Sequence, residues 1–324
     1  MPTPWEKLAQ QIDEAIIKNK INAKPKELYQ PINYTLSMGG KRIRPTLALM
    51  ATELFGKPAK EAMHIALAIE VFHNFTLVHD DIMDEAPLRR GKETVHKKWG
   101  RDIAILAGDV MMVKAYQFLA KEKGEKLSEM LQLFNQTAIE VCEGQQLDMN
   151  FEVKSDTSLS EYLKMIELKT AVLLAASLKL GALSAGANEE EANLLYDFGK
   201  NTGIAFQIQD DYLDVYADEK MFGKQIGGDI LNNKKTYLLL RAIEEASPQQ
   251  QKEIERIVAI QDQKTQKIDQ MVAIYNQLNI PQLTKNAMQH HFDLALTSIN
   301  KIKQNKKSKE ALISLAKLLL KREH

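Results

Sequence analysis

The sequence is short of nearly everything that marks a secreted, membrane-spanning or nucleic-acid-binding protein. Among its 324 residues, 43 Lys+Arg stand against 43 Asp+Glu, so the basic excess of an electrostatic nucleic-acid binder is missing. Cys142 is the one cysteine, so no internal disulfide can form, and a reducing, cytoplasmic setting is expected. The opening stretch, MPTPWEKLAQQIDEAI, turns charged and amphipathic at once and has no apolar signal core. The most apolar run, TAVLLAASLKLGAL from Thr170, is interrupted by Lys179 and is too short to span a bilayer. No Gly/Ser-rich or Pro-rich linker occurs and the composition shifts nowhere, so a single domain over residues 1–324 of a soluble protein is expected.

Proline is also absent between Pro87 and Pro248, and there the apolar residues recur at helical spacing. In LSEYLKMIELKTAVLLAASLKL, for example, Leu159, Tyr162, Leu163, Ile166 and Leu173 fall on one broad side. Alternating or β-branched runs bounded by turn pairs are missing, so no sheet is expected. Breaks at SMGGK, LFGKP, PLRRGKE, KEKGEK, KSDTS, SAGANEEE, MFGKQIGGD and EASPQQ divide the chain into about ten helices joined by short polar loops. The expected fold is all-α, a single large antiparallel helical bundle.

What is present is acid in two matching places. In FTLVHDDIMDEAPLRRGKETVH, Asp80 and Asp84 are four residues apart, which on a helix puts them on one face roughly 6 Å apart. Like charges so placed destabilise a helix unless a cation bridges them. The same spacing returns in FQIQDDYLD as Asp210, Asp211 and Asp214, again in an apolar, helix-periodic context. Hard divalent cations with oxygen ligands relieve such repulsion, and Mg²⁺ takes one or two carboxylates and completes its shell with water and substrate phosphates. The duplication therefore points to a diphosphate bridged by Mg²⁺ between two helices. Basic groups accompany the acids. MGGKRIRP sets Lys41, Arg42 and Arg44 after a Gly-Gly turn, where amides and side chains can converge on an anion. Arg89 and Arg90 follow the first acidic motif, and Lys169, Lys224, Lys234 and Lys235 are further candidate cations.

Taken as a set, GGKRIRP, LVHDDIMDEAPLRRGKETVH, ELKTA, FQIQDDYLD and GKQIGGDILNNKKT resemble the all-trans polyprenyl diphosphate synthases, the group containing farnesyl and geranylgeranyl diphosphate synthases. The motifs run from Gly39 to Thr236 in the family's order; past residue 240 the likeness is in helical character alone. The resemblance implies a bundle around a central apolar cavity and a Mg²⁺-dependent, chain-elongating transferase, with three ions when substrate is bound. It further implies a homodimer that uses isopentenyl diphosphate and allylic diphosphates, while the charge balance and the short apolar run lead to the expectation of no nucleic-acid partner and no stable membrane span. Lys41, Arg44 and His73 would bind isopentenyl diphosphate, with Arg90 assisting. Asp80, Asp84 and Asp210 would be Mg²⁺ ligands, with Asp81, Asp211 and Asp214 close behind. Arg89, Lys169, Lys224 and Lys234 would contact the allylic diphosphate, and Thr170 and Gln207 would turn oxygens toward the developing carbocation. One departure is visible. Where the family usually has Gly before the last lysine, this chain has Asn233, a residue that tolerates left-handed backbone.

Product length rests on Phe75 and Thr76. In the family, aromatics at both the fifth and fourth positions before the first motif accompany farnesyl products, and an aromatic at the fifth alone accompanies geranylgeranyl. Here Phe75 is fifth and Thr76 fourth, and the two-residue insertion of bacterial farnesyl synthases is absent from DDIMD. The resemblance thus implies a twenty-carbon product, with fifteen carbons or a longer chain as alternatives. On an ideal helix Thr76 faces the way of Asp80 and Asp84 while Phe75 is turned away, so the blocking role of Phe75 comes from the resemblance. A terpene cyclase would pair one acidic motif with a Ser/Thr-bearing metal motif, and a non-catalytic synthase subunit would be expected to lose its acidic motifs. Both fit this chain less well. Other residues in these stretches carry plainer expectations: His79 structural, His96 at a helix start or packed, Cys142 a small core residue, and Met111 and Met112 core.

Overall fold

Residues 3–154, 156–217 and 226–320 are described by the computed structural model. They are helical nearly throughout, as the periodicity requires. The elements are α1 (Pro4–Lys18), α2 (Lys26–Ser37), α3 (Ile43–Leu54), a 3₁₀ turn (Ala59–Ala62), α4 (Met63–Met83), strands β1 (Leu88–Arg89) and β2 (Lys92–Glu93), α5 (Val95–Trp99) and α6 (Arg101–Leu119). There follow α7 (Leu127–Val153), α8 (Leu159–Ile166), a π-helical turn (Glu167–Ala171), α9 (Val172–Ser184) and α10 (Glu189–Tyr216). The remainder is α11 (Gly228–Leu231), α12 (Tyr237–Glu245), α13 (Pro248–Val258), α14 (Lys264–Gln277), α15 (Ile280–Lys301) and α16 (Lys306–Leu320). No helix among the described residues is long and apolar enough to cross a membrane.

Local chemistry accounts for many of the ends. Ser158 with Glu161, and Ser247 with Gln250, form capping boxes that start α8 and α13. Breaks fall at each expected place within the described residues. Others were not foreseen, because they depend on single backbone angles: Gly100 at φ 93 before α6, and Asn279 at φ 55 before α15. The expectation of no sheet needs a small correction. Arg90 and Gly91, both at positive φ, turn PLRRGKE into a two-residue hairpin that pairs Leu88 with Glu93 and Arg89 with Lys92. Cys142 also departs from expectation, for it lies exposed on α7.

Two compact units can be distinguished: Met1–Phe134 with Ala176–Leu195 and Lys303–Leu312, and Asn135–Ala175 with Tyr196–Ile302 and Ile313–His324. In the first, α4 packs along α6, burying Ile65, Ile69 and Phe72 from one and Ala104, Met111 and Ala115 from the other. The ring of Phe72 sits 5.2 Å from Phe134, which is 5.0 Å from Tyr116. Full burial of a ring such as Phe72 contributes roughly 2 kcal/mol. In the second unit one apolar cluster joins Tyr162, Ile166, Ile204, Ile208 and Leu240, and another joins Val215, Leu238, Ile257, Met271 and Tyr275. The first acidic motif lies in the first unit and the second in the second.

Candidate active site

In the first unit, the Gly-Gly turn and α4 bring together a cluster of cationic side chains. Arg42 takes left-handed backbone (φ 50) as the residue before α3, and this sends neighbouring side chains opposite ways. Arg42 itself turns inward: it is 4% exposed and donates to Glu70 at 2.5 Å, Asp13 at 2.8 Å and the Leu36 carbonyl at 3.0 Å. It is therefore a support of the loop, and its suggested place at an anion is corrected. Glu70, 2% exposed, also accepts from Asn74 Nδ2 at 2.8 Å. Sequence reasoning missed both residues, although a lone acid within the apolar stretch ALAIEVF was a visible signal.

Arg44 lies two residues on, and its Nη1 is 3.3 Å from His73 Nε2. A guanidinium has no acceptor, so Nε2 must accept and the imidazole is neutral with its proton on Nδ1. Burial, then the charges of Arg44, Arg90, Arg89 and Arg42, hold His73 well below the ordinary histidine range. Burial, opposed by Glu70 and reinforced by Arg90, pushes Arg44 down to about 10. Arg90 is lowered by burial first, with Arg42 and Arg89 adding to the effect and Glu70 and Asp81 opposing it. Its guanidinium donates to the Gly39 carbonyl and lies over Gly40, where a Cβ would come 2.7 Å from Nη1. Arg44 Nε is buried without a hydrogen-bond partner. Cations gathered in one place, with a buried donor left over, fit an anion as their missing partner. Lys41 is exposed beside them.

Further along α4, Asp80 is half-buried, while Asp84 is exposed and closes the helix, its amide donating to the Asp80 carbonyl at 2.8 Å. Asp81 between them is 4% exposed and ion-paired with Arg89, from Nη2 at 2.5 Å and Nε at 3.0 Å. Arg89, expected at the allylic diphosphate, is thus engaged by the middle aspartate. Phe75 is buried, its ring 5.5 Å from Phe72 and 4.8 Å from His79. Thr76 is half-buried and donates its hydroxyl hydrogen to the His73 carbonyl.

The second unit repeats the acidic arrangement with different support. On α10, Asp210 and Asp214 are half-buried and Asp211 is 4% exposed. Asp211 Oδ2 accepts from the Tyr162 hydroxyl and, at 2.8 Å, from the Tyr237 amide at the start of α12. Burial raises it to about 7 against the pull of those two bonds. Asp214 accepts from the Asp229 amide at 2.9 Å, and burial raises it as well. The π-helical turn brings Lys169 within 2.5 Å of Asp148, a partner not foreseen, and places the Thr170 hydroxyl 3.3 Å from Gln207 Oε1. Two glycines make room for that turn: a Cβ on Gly144 would meet the Lys169 amide nitrogen at 2.2 Å, and one on Gly203 would meet the Ala171 Cα at 2.7 Å. Lone glycines inside helical patterns signal such close approach. Lys234 lies 3.9 Å from Asp229; burial works against its charge, but Asp229, Asp211, Asp148 and Asp210 together hold it above the usual lysine range. Asn233 has φ 54, the conformation its residue type was expected to tolerate. Lys235 donates to the Phe151 carbonyl at 2.5 Å, a structural role. Lys224 lies outside the described residues.

Among the described residues, no group of three or more His, Cys, Asp or Glu side chains is gathered to hold a metal ion by itself. Carboxylates in i, i+4 pairs that reach the surface fit an ion which draws its remaining ligands from phosphate and water, as Mg²⁺ does.

The polyprenyl synthetase family matches residues 25–276. Over 320 residues the chain is 37% identical to the short chain isoprenyl diphosphate synthase of Methanothermobacter thermautotrophicus, covering 98% of this chain and 97% of that protein. It is 45% identical over 233 residues to the geranylgeranyl diphosphate synthase of Sulfolobus acidocaldarius, 71% of each chain. A crystal structure of a geranylgeranyl pyrophosphate synthase superposes with a TM-score of 0.94 at 42% identity, covering 100% of both chains. Fold and site thus describe an all-α transferase that elongates prenyl diphosphates. The chain belongs to the polyprenyl synthetase family.

Proposed function

We propose that this chain condenses isopentenyl diphosphate with an allylic diphosphate to give a trans-prenyl diphosphate of twenty carbons. The observation that carries the reading is the cluster of Arg44 and Arg90 near neutral His73, which fits a diphosphate distinct from the one served by the acidic motifs. Lys41, Arg44, His73 and Arg90 hold the isopentenyl diphosphate. Asp80, Asp84 and Asp210 would hold Mg²⁺, three ions with substrate bound, which supply positive charge to a leaving diphosphate. Arg89, Lys169, Lys224 and Lys234 add cationic charge for the allylic diphosphate, where charge develops as it departs. The oxygens of Thr170 and Gln207 offer partial negative charge to the allylic cation. The isopentenyl double bond then attacks that cation, and loss of a proton gives the trans alkene. Asp81 and Asp211 act as supports of their motifs.

Several observations favour the remaining parts of this reading. The family match runs through residues of both units, which supports one prenyl synthase domain over 1–324. On α6, exposed Ile105, Leu106 and Val113 share one side, an apolar surface suited to a homodimer. The single cysteine suits a cytoplasmic enzyme. A small, half-buried Thr76 on the Asp80 side of α4 supports twenty carbons, and the role of Phe75, about 7.5 Å back along the axis, as the floor rests on the family resemblance.

Labelled isopentenyl diphosphate supplied with each allylic primer tests the proposal by the product distribution. The expected main product has twenty carbons, longer for Phe75→Ala and shorter for Thr76→Phe. Mainly products of thirty carbons or more from the unmodified enzyme overturn the length, and failure to elongate any primer overturns the reaction.

A further inference from the structure

We propose that Lys267 is the positioning residue for the loop carrying Asp229 and Lys234, and that Asn233 is the handle through which it acts. Lys267 lies on α14, outside every motif described above, and is 3% exposed. A buried ammonium is tolerated when its protons are all bonded, and this one meets three oxygens. Nζ donates to Asn233 Oδ1 at 2.6 Å and to the carbonyls of Val258 and Ile260 at 3.0 Å each. Val258 is the last residue of α13 and Ile260 lies two residues beyond it, so the cation also caps that helix. Two bonds thus fix the ammonium on rigid structure, and the third reaches into the loop.

The loop is tied so that this third bond matters. Asn233 stands in left-handed backbone, and its amide donates to the Ile230 carbonyl at 3.2 Å. The next residue, Lys234, donates its amide hydrogen to the Asp229 carbonyl at 2.9 Å and brings its ammonium within 3.9 Å of the Asp229 carboxylate. The Asp229 amide in turn donates to Asp214 of the second acidic motif. At the loop's other end Gly227 lies against Ile268, the residue after Lys267; a Cβ there would come 2.8 Å from Ile268 Cδ1. Adjacent residues of one helix therefore grip both ends of the segment 227–233. Lys267 touches no substrate in this scheme. It sets where Lys234 and Asp229 stand, and so the inference rests on the reading that Lys234 serves the allylic diphosphate.

The test has one arm that needs no substrate. Amide hydrogen exchange of the substrate-free protein should rise about tenfold over residues 228–235 in Lys267→Met and in Asn233→Gly. In Asn233→Gly it should stay unchanged elsewhere, whereas Lys267→Met also loosens the end of α13, whose carbonyls lose their donor. Glycine keeps the backbone angle and removes the handle but adds backbone freedom of its own, so if Lys267→Met does not fold it carries the test through the KM split below together with exchange. In steady-state kinetics the KM for the allylic diphosphate should rise about tenfold with that for isopentenyl diphosphate unmoved, and the double variant should be no worse than the poorer single one. Lys267→Arg should restore part of the loss. Unchanged exchange in Asn233→Gly overturns the proposal, as do additive effects or an equal rise in both KM values. Because exchange is read without substrate, these outcomes are separate from a failure of the unmodified enzyme to elongate prenyl chains, which would overturn the preceding section instead.

Discussion

The two acidic motifs have the same letters at the same spacing, yet the molecule treats their middle aspartates in opposite ways. Asp81 is buried against a cation, Arg89, which neutralises it. Asp211 is equally buried, but its two donors are neutral, a tyrosine hydroxyl and a backbone amide, and its carboxyl is raised to about 7. In both motifs the outer pair reaches further toward solvent. A repeated DDxxD is therefore a repeated pair of outward carboxylates on two different foundations. One foundation is an ion pair, and the other is a hydrogen-bonded post joining α8, α10 and α12.

The largest effect should come from the outer pairs. Asp80→Ala or Asp210→Ala should lower turnover with Mg²⁺ on the order of 10²–10³-fold while circular dichroism stays that of the unmodified helices. Near-normal turnover in either variant would sink the shared role. The next effect sharpens the contrast between the middle residues. With a folded pKa of about 7 against 3.8 unfolded, Asp211 keeps its proton in the folded protein where the unfolded chain has lost it. The contribution of Asp211 to stability then falls as pH rises from about 4 to 7, and is lowest above that. Asp211→Asn removes this dependence. Each tenfold change in proton affinity is worth about 1.4 kcal/mol, so the variant should be a few kcal/mol more stable at pH 8, with little effect at pH 4. Thermal melts across that range measure it. The smallest effect has the opposite sign: Asp81→Asn strips Arg89 of its carboxylate and should cost about 1 kcal/mol, modest because the guanidinium is a third exposed and water can replace the partner. Asn variants that shift stability the same way at pH 8 would erase the distinction between the two foundations.

What could be read in the sequence was what covalent spacing determines. Two aspartates four apart on a helical stretch must share a face, and Ser158 or Ser247 three residues before Glu161 or Gln250 starts a helix wherever the chain goes. Asn233 is an intermediate case: its residue type tolerates the left-handed angle it adopts, and the family's usual glycine at that place pointed to it. The supports were hidden because they join distant segments. Tyr162 is 49 residues from Asp211, and Arg42 is 28 from Glu70. Arg42 and Arg44 also look equivalent in GGKRIRP, and a single left-handed residue sends one into the interior and the other to His73. Gly144 and Gly203 stood in plain view within helical stretches, but what each of them faces is set by packing.

The π-helical turn at Glu167–Ala171 makes this stretch sensitive to residue count as well as residue identity. Each residue of a regular helix advances the side-chain direction by about 100°. A turn with one residue too many therefore resets the compass for all that follows, from Val172 to Ser184. Removing a single residue between 167 and 171 could leave every functional letter in place and still point Lys169 or Thr170 at the wrong neighbour. A comparison of sequences that closes a one-residue gap here as though it were noise would discard the feature that aims the site.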